Sequence, residues 1–160
     1  MRTLDTVDEV HALTVANLDR LRRWESWAHR EQTRDGAAAW TRLQLESFAR
    51  GAAWPVLICD GDAIVGSLGA TIDDVGGSAS LGYWIDAAAE GRGLVTRACD
   101  AVIRSLADAG VARVEIRAAV GNVRSRNVAR RLGFVEEGVL RSALPVGGER
   151  HDVAVYGLVF

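Results

Sequence analysis

Between Ala79 and Ala119 the residue periodicity changes twice, and this constrains the fold more tightly than any other part of the chain. Ala79, Leu81, Tyr83 and Ile85 alternate as in a strand. Residues 94–109 repeat at helical spacing and stop at Gly110, and Val114, Ile116 and Ala118 alternate again. Strand, helix and strand in that order predict a βαβ unit over 79–85, 94–109 and 113–119, with parallel strands and a right-handed crossover. The connection into the helix is a loop over 86–93, and it closes with Glu90-Gly91-Arg92-Gly93-Leu94-Val95-Thr96. Glycines at that place let backbone approach a ligand closely, and the unpaired N–H groups of a helix start favour a phosphate by about 0.3–2 kcal/mol. The stretch is not a dinucleotide fingerprint: Thr96 stands where the third glycine of G-x-G-x-x-G would fall, and no acidic residue follows at the required distance. Taken alone, it reads equally well as an anion site built from backbone and as a glycine-rich turn with no ligand.

Charge gives the loop a context. All 19 basic residues are arginine, and nine of them fall within residues 92–131, against Asp100, Asp108 and Glu115. Residues 51–91 carry six acids and no arginine, and the net charge of the whole chain is −2. One local basic block in an acidic chain points to a single anionic ligand. It does not point to a nucleic-acid surface, since the block also lacks interleaved aromatics. The absence of lysine excludes a P-loop phosphate site, a pyridoxal Schiff base, an aldolase-type amine and a kinase ATP anchor.

Before the βαβ unit, Asp5 or Thr6 is placed to cap a helix running to about Arg23, and a second helix fits 37–49 after a break at Asp35-Gly36. Strands follow at 54–59 and 63–72 around an Asp60-Gly61 hairpin turn, and residues 73–77 turn the chain into the strand at 79–85. After the unit come a short helix over 124–132, ending at Gly133, and strands at 134–144 and 151–160 joined near Gly147-Gly148. The predicted class is α/β in the broad α+β sense: a mixed, mostly antiparallel twisted sheet with one parallel pair, flanked by about four helices. A single domain over 1–160 is expected, because a chain of about 150 residues removes roughly 70 % of its extended surface from water.

Cys59 and Cys99 read as buried apolar residues of a reducing compartment, and the scattered His11, His29 and His151 give no ligand spacing, so no metal is expected. Asp5, Asp8 and Glu9 argue against a secretory leader, and no stretch approaches the roughly 18–20 apolar residues of a membrane span. The expectation is a soluble, cytoplasmic protein without membrane or nucleic-acid partners, and a homodimer is compatible with it.

A second informative stretch runs from Asn122-x-x-Ser125 through Val128-Ala129-Arg130-Arg131-Leu132 to Gly133-Phe134. Arg126 and Arg130 lie four apart with no acid on the helix to pair them, a repulsion of about 0.2–0.5 kcal/mol that an anionic ligand, or solvent and salt, would relieve.

In order and spacing these residues resemble the GNAT superfamily of acyl-CoA-dependent N-acyltransferases, and its RimJ/RimL-like branch in particular. The resemblance runs from Asn17-Leu18, Trp24 and Trp27 through Gly82-Tyr83-Trp84-Ile85-Asp86, the glycine loop and Asn122-x-x-Ser125. It continues to Leu132-Gly133-Phe134, Glu137-Gly138-x-Leu140-Arg141, Asp152 and Tyr156. It implies that the parallel strands splay and that acetyl-CoA enters the gap. Its pantetheine would pair with backbone around Trp84, Ile85 and Asp86, and the amides of Gly91, Arg92, Gly93, Leu94, Val95 and Thr96 would hold the pyrophosphate. Arg92, with Arg97 or Arg131, would lie near phosphates. Asn122 and Ser125 would hydrogen-bond the pantetheine end, with Ser125 close to the departing thiolate. Trp24, Trp27, Tyr83, Trp84 and Leu144 would line the acceptor pocket, with plain core packing as the alternative for the tryptophans.

The chain departs from the family's pattern in ways that bear on mechanism. Glu90 replaces the usual Gln or Arg at the head of the loop and Val95 the small residue near its end; backbone donors depend on neither. Ala129 stands where many members place a tyrosine general acid, so Ser125 takes that role or none is used. Leu144 stands where close relatives carry a glutamate base, which leaves His151, Glu25 and His29 as base candidates, acting directly or through water. An α-amine of pKa about 7.7–8.0 costs about 1–1.4 kcal/mol to deprotonate at pH 7, against about 4.6 for a lysine of pKa about 10.4, so an α-amine is the easier acceptor. The first strand usual to the family is almost missing, since only Arg2-Thr3-Leu4 precedes the first helix. The implied function is acetyl transfer from acetyl-CoA to an amine, of a protein N-terminus or of an aminoacyl or other small molecule, by direct attack. Transfer of another acyl group such as succinyl, and CoA binding without turnover, are the alternatives.

Overall fold

A computed structural model describes residues 1–160 apart from Asp74. A 3-10 turn at Leu4–Thr6 leads into α1 (Val7–Ala16) and α2 (Leu18–Leu21), a second 3-10 turn (Ser26–His29) and α3 (Arg34–Ala49). Strands β1 (Ala53–Asp60), β2 (Ala63–Asp73) and β3 (Ser78–Ile85) follow, then a 3-10 turn (Ala87–Ala89), α4 (Leu94–Asp108), β4 (Arg113–Ala119), α5 (Val123–Arg131), β5 (Val135–Val146) and β6 (Glu149–Val159). The strands form one sheet in the order β1-β2-β3-β4-β6-β5, and among them only β3 and β4 run parallel. This is the expected class, with β6 inserted between β4 and the edge strand β5.

Cys99, Val102, Ile103 and Leu106 occupy one face of α4 and pack on Leu68, Ala70, Leu81, Val114 and Ile116 of the sheet. Val7, Val10, Ala38 and Thr41 are buried in a second layer, where α1 and α3 meet each other, β1 and β2. The two cysteines behave differently. Cys99 is buried, but Cys59 is exposed, contrary to expectation. Strand alternation points Ile58 inward, and the ladder shifts register between Ile58 and Cys59, so the thiol turns outward.

The single helix expected to run to Arg23 is interrupted at Asn17, which is only 3 % exposed. Its Nδ2 donates to the Leu13 carbonyl and to Asp86 Oδ1, both at 2.9 Å, while its Oδ1 accepts from the Ala87 N–H and from Arg20, both at 3.0 Å. An amide that serves groups outside the helix competes with the helical ladder, so the break and the docking of the loop after β3 have one cause. Asn17→Ala leaves the Asp86 carboxylate and the Ala87 amide without this partner. A loss of about 1–3 kcal/mol is expected, read as a lower denaturant midpoint at constant m-value.

Other boundaries shift for local reasons. Thr33 Oγ1 accepts from the Gly36 N–H at 3.0 Å, so Asp35 and Gly36 form the first turn of α3 and not a break before it. Thr6 stands at the N-cap of α1, but its hydroxyl turns back to the Thr3 carbonyl at 2.8 Å. Both arms of the final hairpin extend two residues further toward Gly147-Gly148 than expected. The turn expected over 73–77 includes Asp74, which lies outside the described residues. The Arg2 N–H donates to the Pro55 carbonyl at 2.9 Å beside β1 without forming a strand, as the short segment before α1 suggested. Among the described residues, no helix is long and apolar enough to cross a membrane.

Candidate active site

β3 and β4 are paired only over residues 78–81 against 113–116. Beyond that point they part, each still held by its other neighbour, β2 for residues 82–85 and β6 for residues 117–119. The splayed pair that the family resemblance implies is therefore present. The Asp86 N–H donates to the Val65 carbonyl at 2.7 Å, and alternation along the antiparallel ladder then turns the backbone of Trp84 toward β2 and that of Tyr83 and Ile85 toward the gap. Tyr83 and Ile85 thus carry the open N–H and C=O groups that a ligand in the gap can satisfy. The gap belongs to a cleft of about 1170 Å³, walled by β3, β4, the start of α4, the start of α5, residues 20, 21 and 23–25, and Leu144.

At one end of the cleft the chain enters α4. Gly91 and Gly93 have φ of 74° and 71°, a left-handed conformation that suits glycine, and Gly93 is the N-cap of α4. Gly91, Gly93, Leu94, Val95 and Thr96 line the cleft. The Arg92 side chain does not; it pairs with Asp60 of the β1–β2 turn at 2.6 Å. Arg97 and Arg131 line the cleft and, among the described residues, make no ion pair. Glu90 receives Arg20 from the α2 side and Arg124 from α5, so this acidic departure from the family pattern ties the loop to both walls. Arg126 and Arg130 need no ligand to relieve their repulsion, because Glu136 of β5 pairs with them at 3.2 and 3.1 Å. The buried Tyr156 completes that network: its hydroxyl accepts from Arg126 Nε at 2.9 Å and donates to Glu136 at 2.7 Å.

At the other end, Asn122 caps α5 by accepting the Ser125 N–H on Oδ1 at 3.2 Å, which leaves its Nδ2 free to donate. Ser125 Oγ lies 3.0 Å from the Tyr83 hydroxyl, which also donates to the Ser125 carbonyl at 3.2 Å. Burial pushes the Tyr83 phenol above its ordinary range, and the bond to Ser125 only partly opposes this, so Tyr83 stays protonated at neutral pH. The Tyr83–Ser125 pair was not foreseen as a unit. The two residues lie 42 positions apart, and only the outward face of β3 after the splay gave a signal. Ala129 is fully buried and does not line the cleft.

Trp24 lines the cleft beside Gly121, a Cβ at which would lie 3.2 Å from the indole, and meets the His151 ring edge-on at 6.2 Å. Leu144 pairs across the final hairpin with His151 and also lines the cleft, as do Tyr83, Trp84 and Ile85. Trp27, Asp86 and His151 stand outside its walls. His29 is exposed, with its ring bonded to the Arg22 carbonyl at 2.9 Å. Glu25 lines the cleft and accepts from Trp27 Nε1 on Oε2 at 2.8 Å; burial raises its carboxyl above the ordinary range and the indole bond lowers it in part. Among the described residues, no three His, Cys, Asp or Glu side chains cluster as metal ligands would.

Residues 1–135 match the acetyltransferase (GNAT) domain. The putative ribosomal N-acetyltransferase YdaF of Bacillus subtilis (strain 168) is 44 % identical over 89 residues, which span 55 % of this chain and about half, 49 %, of that relative. The ribosomal-protein-serine acetyltransferase of Escherichia coli (strain K12) is 27 % identical over 155 residues, 96 % of this chain and 87 % of its own. In a solved structure of RimL, a ribosomal alpha-N-protein acetyltransferase in complex with coenzyme A, 91 % of the chain aligns with 99 % of this one at a TM-score of 0.97 and 26 % identity. A family match over most of the sequence, on a sheet that opens where acyl-CoA chemistry needs it to open, means that the chain belongs to the GNAT acetyltransferase family.

Proposed function

We propose that this protein transfers the acetyl group of acetyl-CoA to an α-amine by direct attack, with no covalent enzyme intermediate. The observation that carries the reading is the continuity of one cleft from the glycine loop, past the open backbone of Tyr83 and Ile85, to the Tyr83–Ser125 pair. The loop amides and the unpaired Arg97 and Arg131 suit a pyrophosphate, and the open strand edge suits the amides of a pantetheine arm. Asn122 Nδ2 is free to orient the thioester end. Ser125 gives its hydroxyl proton to the leaving sulfur and is backed by Tyr83, which fills the role left open by Ala129. The naming of relatives as ribosomal-protein acetyltransferases supports a protein N-terminus as acceptor, and the exposed, unpaired Cys59 fits a reducing, cytoplasmic setting. Incubation with acetyl-CoA and a panel of peptide and small-molecule amines should release free thiol above the hydrolysis background. No release with any amine would contradict the proposal.

A further inference from the structure

We propose that Glu25 is the group that receives and deprotonates the acceptor amine, so that the base of this enzyme comes from the turn after α2 and not from the final hairpin. The inference rests on the acetyl-transfer reading above.

Placement is the first support. Glu25 follows Trp24, whose indole packs beside Gly121, the residue before Asn122, and against His151, the cross-strand partner of Leu144. These contacts anchor the turn at the Ser125 end of the cleft, on the wall that also holds Leu144. Availability is the second. Among the described residues, only two acids line the cleft, and Glu90 is occupied by Arg20 and Arg124. Glu25 makes no ion pair among the described residues; the one side-chain hydrogen bond it makes among them occupies Oε2 and leaves Oε1 available to an incoming ammonium. Environment is the third. The half-buried carboxyl is raised by desolvation, which brings a carboxylate closer to the pKa of the amine it must deprotonate.

The surrounding charged groups do not compete. Arg117 of β4 is held by Glu115 at 2.6 Å, Arg20 and Arg124 by Glu90, and His29 by the Arg22 carbonyl, while Tyr83 of β3 bonds Ser125 and His151 of β6 meets Trp24. Arg23 lines the cleft next to Trp24 and bonds none of these acids.

The proton balance closes with these groups. The ammonium gives one proton to the Glu25 carboxylate, and the freed nitrogen lone pair forms the C–N bond at the thioester carbonyl as the C–S bond breaks. Ser125 passes its hydroxyl proton to the departing sulfur and is reprotonated by the second proton leaving nitrogen. Glu25 then returns its proton to water, so one amide, one thiol and one proton are produced per turnover.

The test is the pH profile of kcat/KM for the wild type, Glu25→Gln and Trp27→Phe, with a peptide amine that supports thiol release by the wild type, alongside acetyl-CoA binding by each protein. Glu25→Gln is expected to lower kcat/KM by about 10²-fold or more, keep acetyl-CoA affinity and move the acidic limb of the profile up to the pKa of the amine itself, since only the neutral amine can then react. Trp27→Phe removes the bond that lowers the Glu25 carboxyl, so its acidic limb should move to higher pH. A Glu25→Gln enzyme with undiminished rate and the same acidic limb would overturn the assignment, as would a Trp27→Phe profile that superimposes on the wild type. Absence of thiol release from the wild type itself would instead overturn the acetyl-transfer reading.

Discussion

Ser125→Ala should lower kcat by about 10²-fold, the low end of the range for loss of a general acid, while acetyl-CoA affinity stays nearly unchanged. The low end is expected because the Tyr83 hydroxyl, 3.0 Å from Ser125 Oγ, stays in place and can supply a proton through a water that fills the vacated volume. Affinity is expected to hold because the loop amides and the open edge of β3 are remote from the change. Titration calorimetry with acetyl-CoA and steady-state kinetics at saturating cofactor separate the two effects. An unchanged kcat would remove Ser125 from the chemistry. A parallel loss of affinity and rate would make it a binding residue only.

Gly93→Ala should do the reverse. Gly93 caps α4 at φ 71°, where an L-residue costs about 1–2 kcal/mol. Among the described residues, the one heavy atom within 4 Å of the added methyl is Arg97 Nη1, at 3.3 Å, so the effect combines backbone strain with a displacement of Arg97 by a few tenths of an ångström. A strained cap tilts the first amides of α4 away from the cleft, and acetyl-CoA should bind about tenfold more weakly, equivalent to roughly 1.4 kcal/mol. Gly110→Ala is the control. Gly110 also has a positive φ, 86°, with nothing within 4 Å, but it ends α4 away from the cleft. Both variants should lose comparable stability, and only Gly93→Ala should lose affinity. Equal affinity loss in both would assign the effect to α4 as a whole and contradict a backbone phosphate site at its start.

What was legible in the sequence was local. The βαβ unit, its glycine loop and the hairpins are written in the spacing of neighbouring residues, and their edges moved by only one or two residues. What was not legible depends on partners that other elements bring in. Arg126 and Arg130 looked unpaired because Glu136 reaches them from β5, and Arg92 looked available because Asp60 holds it from the β1–β2 turn. Asn17 was read as part of a continuous helix because its partners, Asp86 and Ala87, lie about seventy residues away. The position of β6 inside the sheet shows only in burial: Val153, Ala154 and Tyr156 are buried, whereas most of β5 is exposed. For the site, the loop and Asn122-x-x-Ser125 were visible as motifs. The fact that Tyr83 supports Ser125, and that Glu25 stands free in the cleft while Glu90 does not, required the fold.

The most direct measurement is mass spectrometry of a peptide that carries both a free α-amine and a lysine, after incubation with the protein and acetyl-CoA near neutral pH. A single acetyl group on the α-amine, dependent on the protein, is the expected result. Acetylation of the lysine alone, or of neither amine across a range of N-terminal residues, would contradict the proposal that this cleft delivers acetyl to an α-amine.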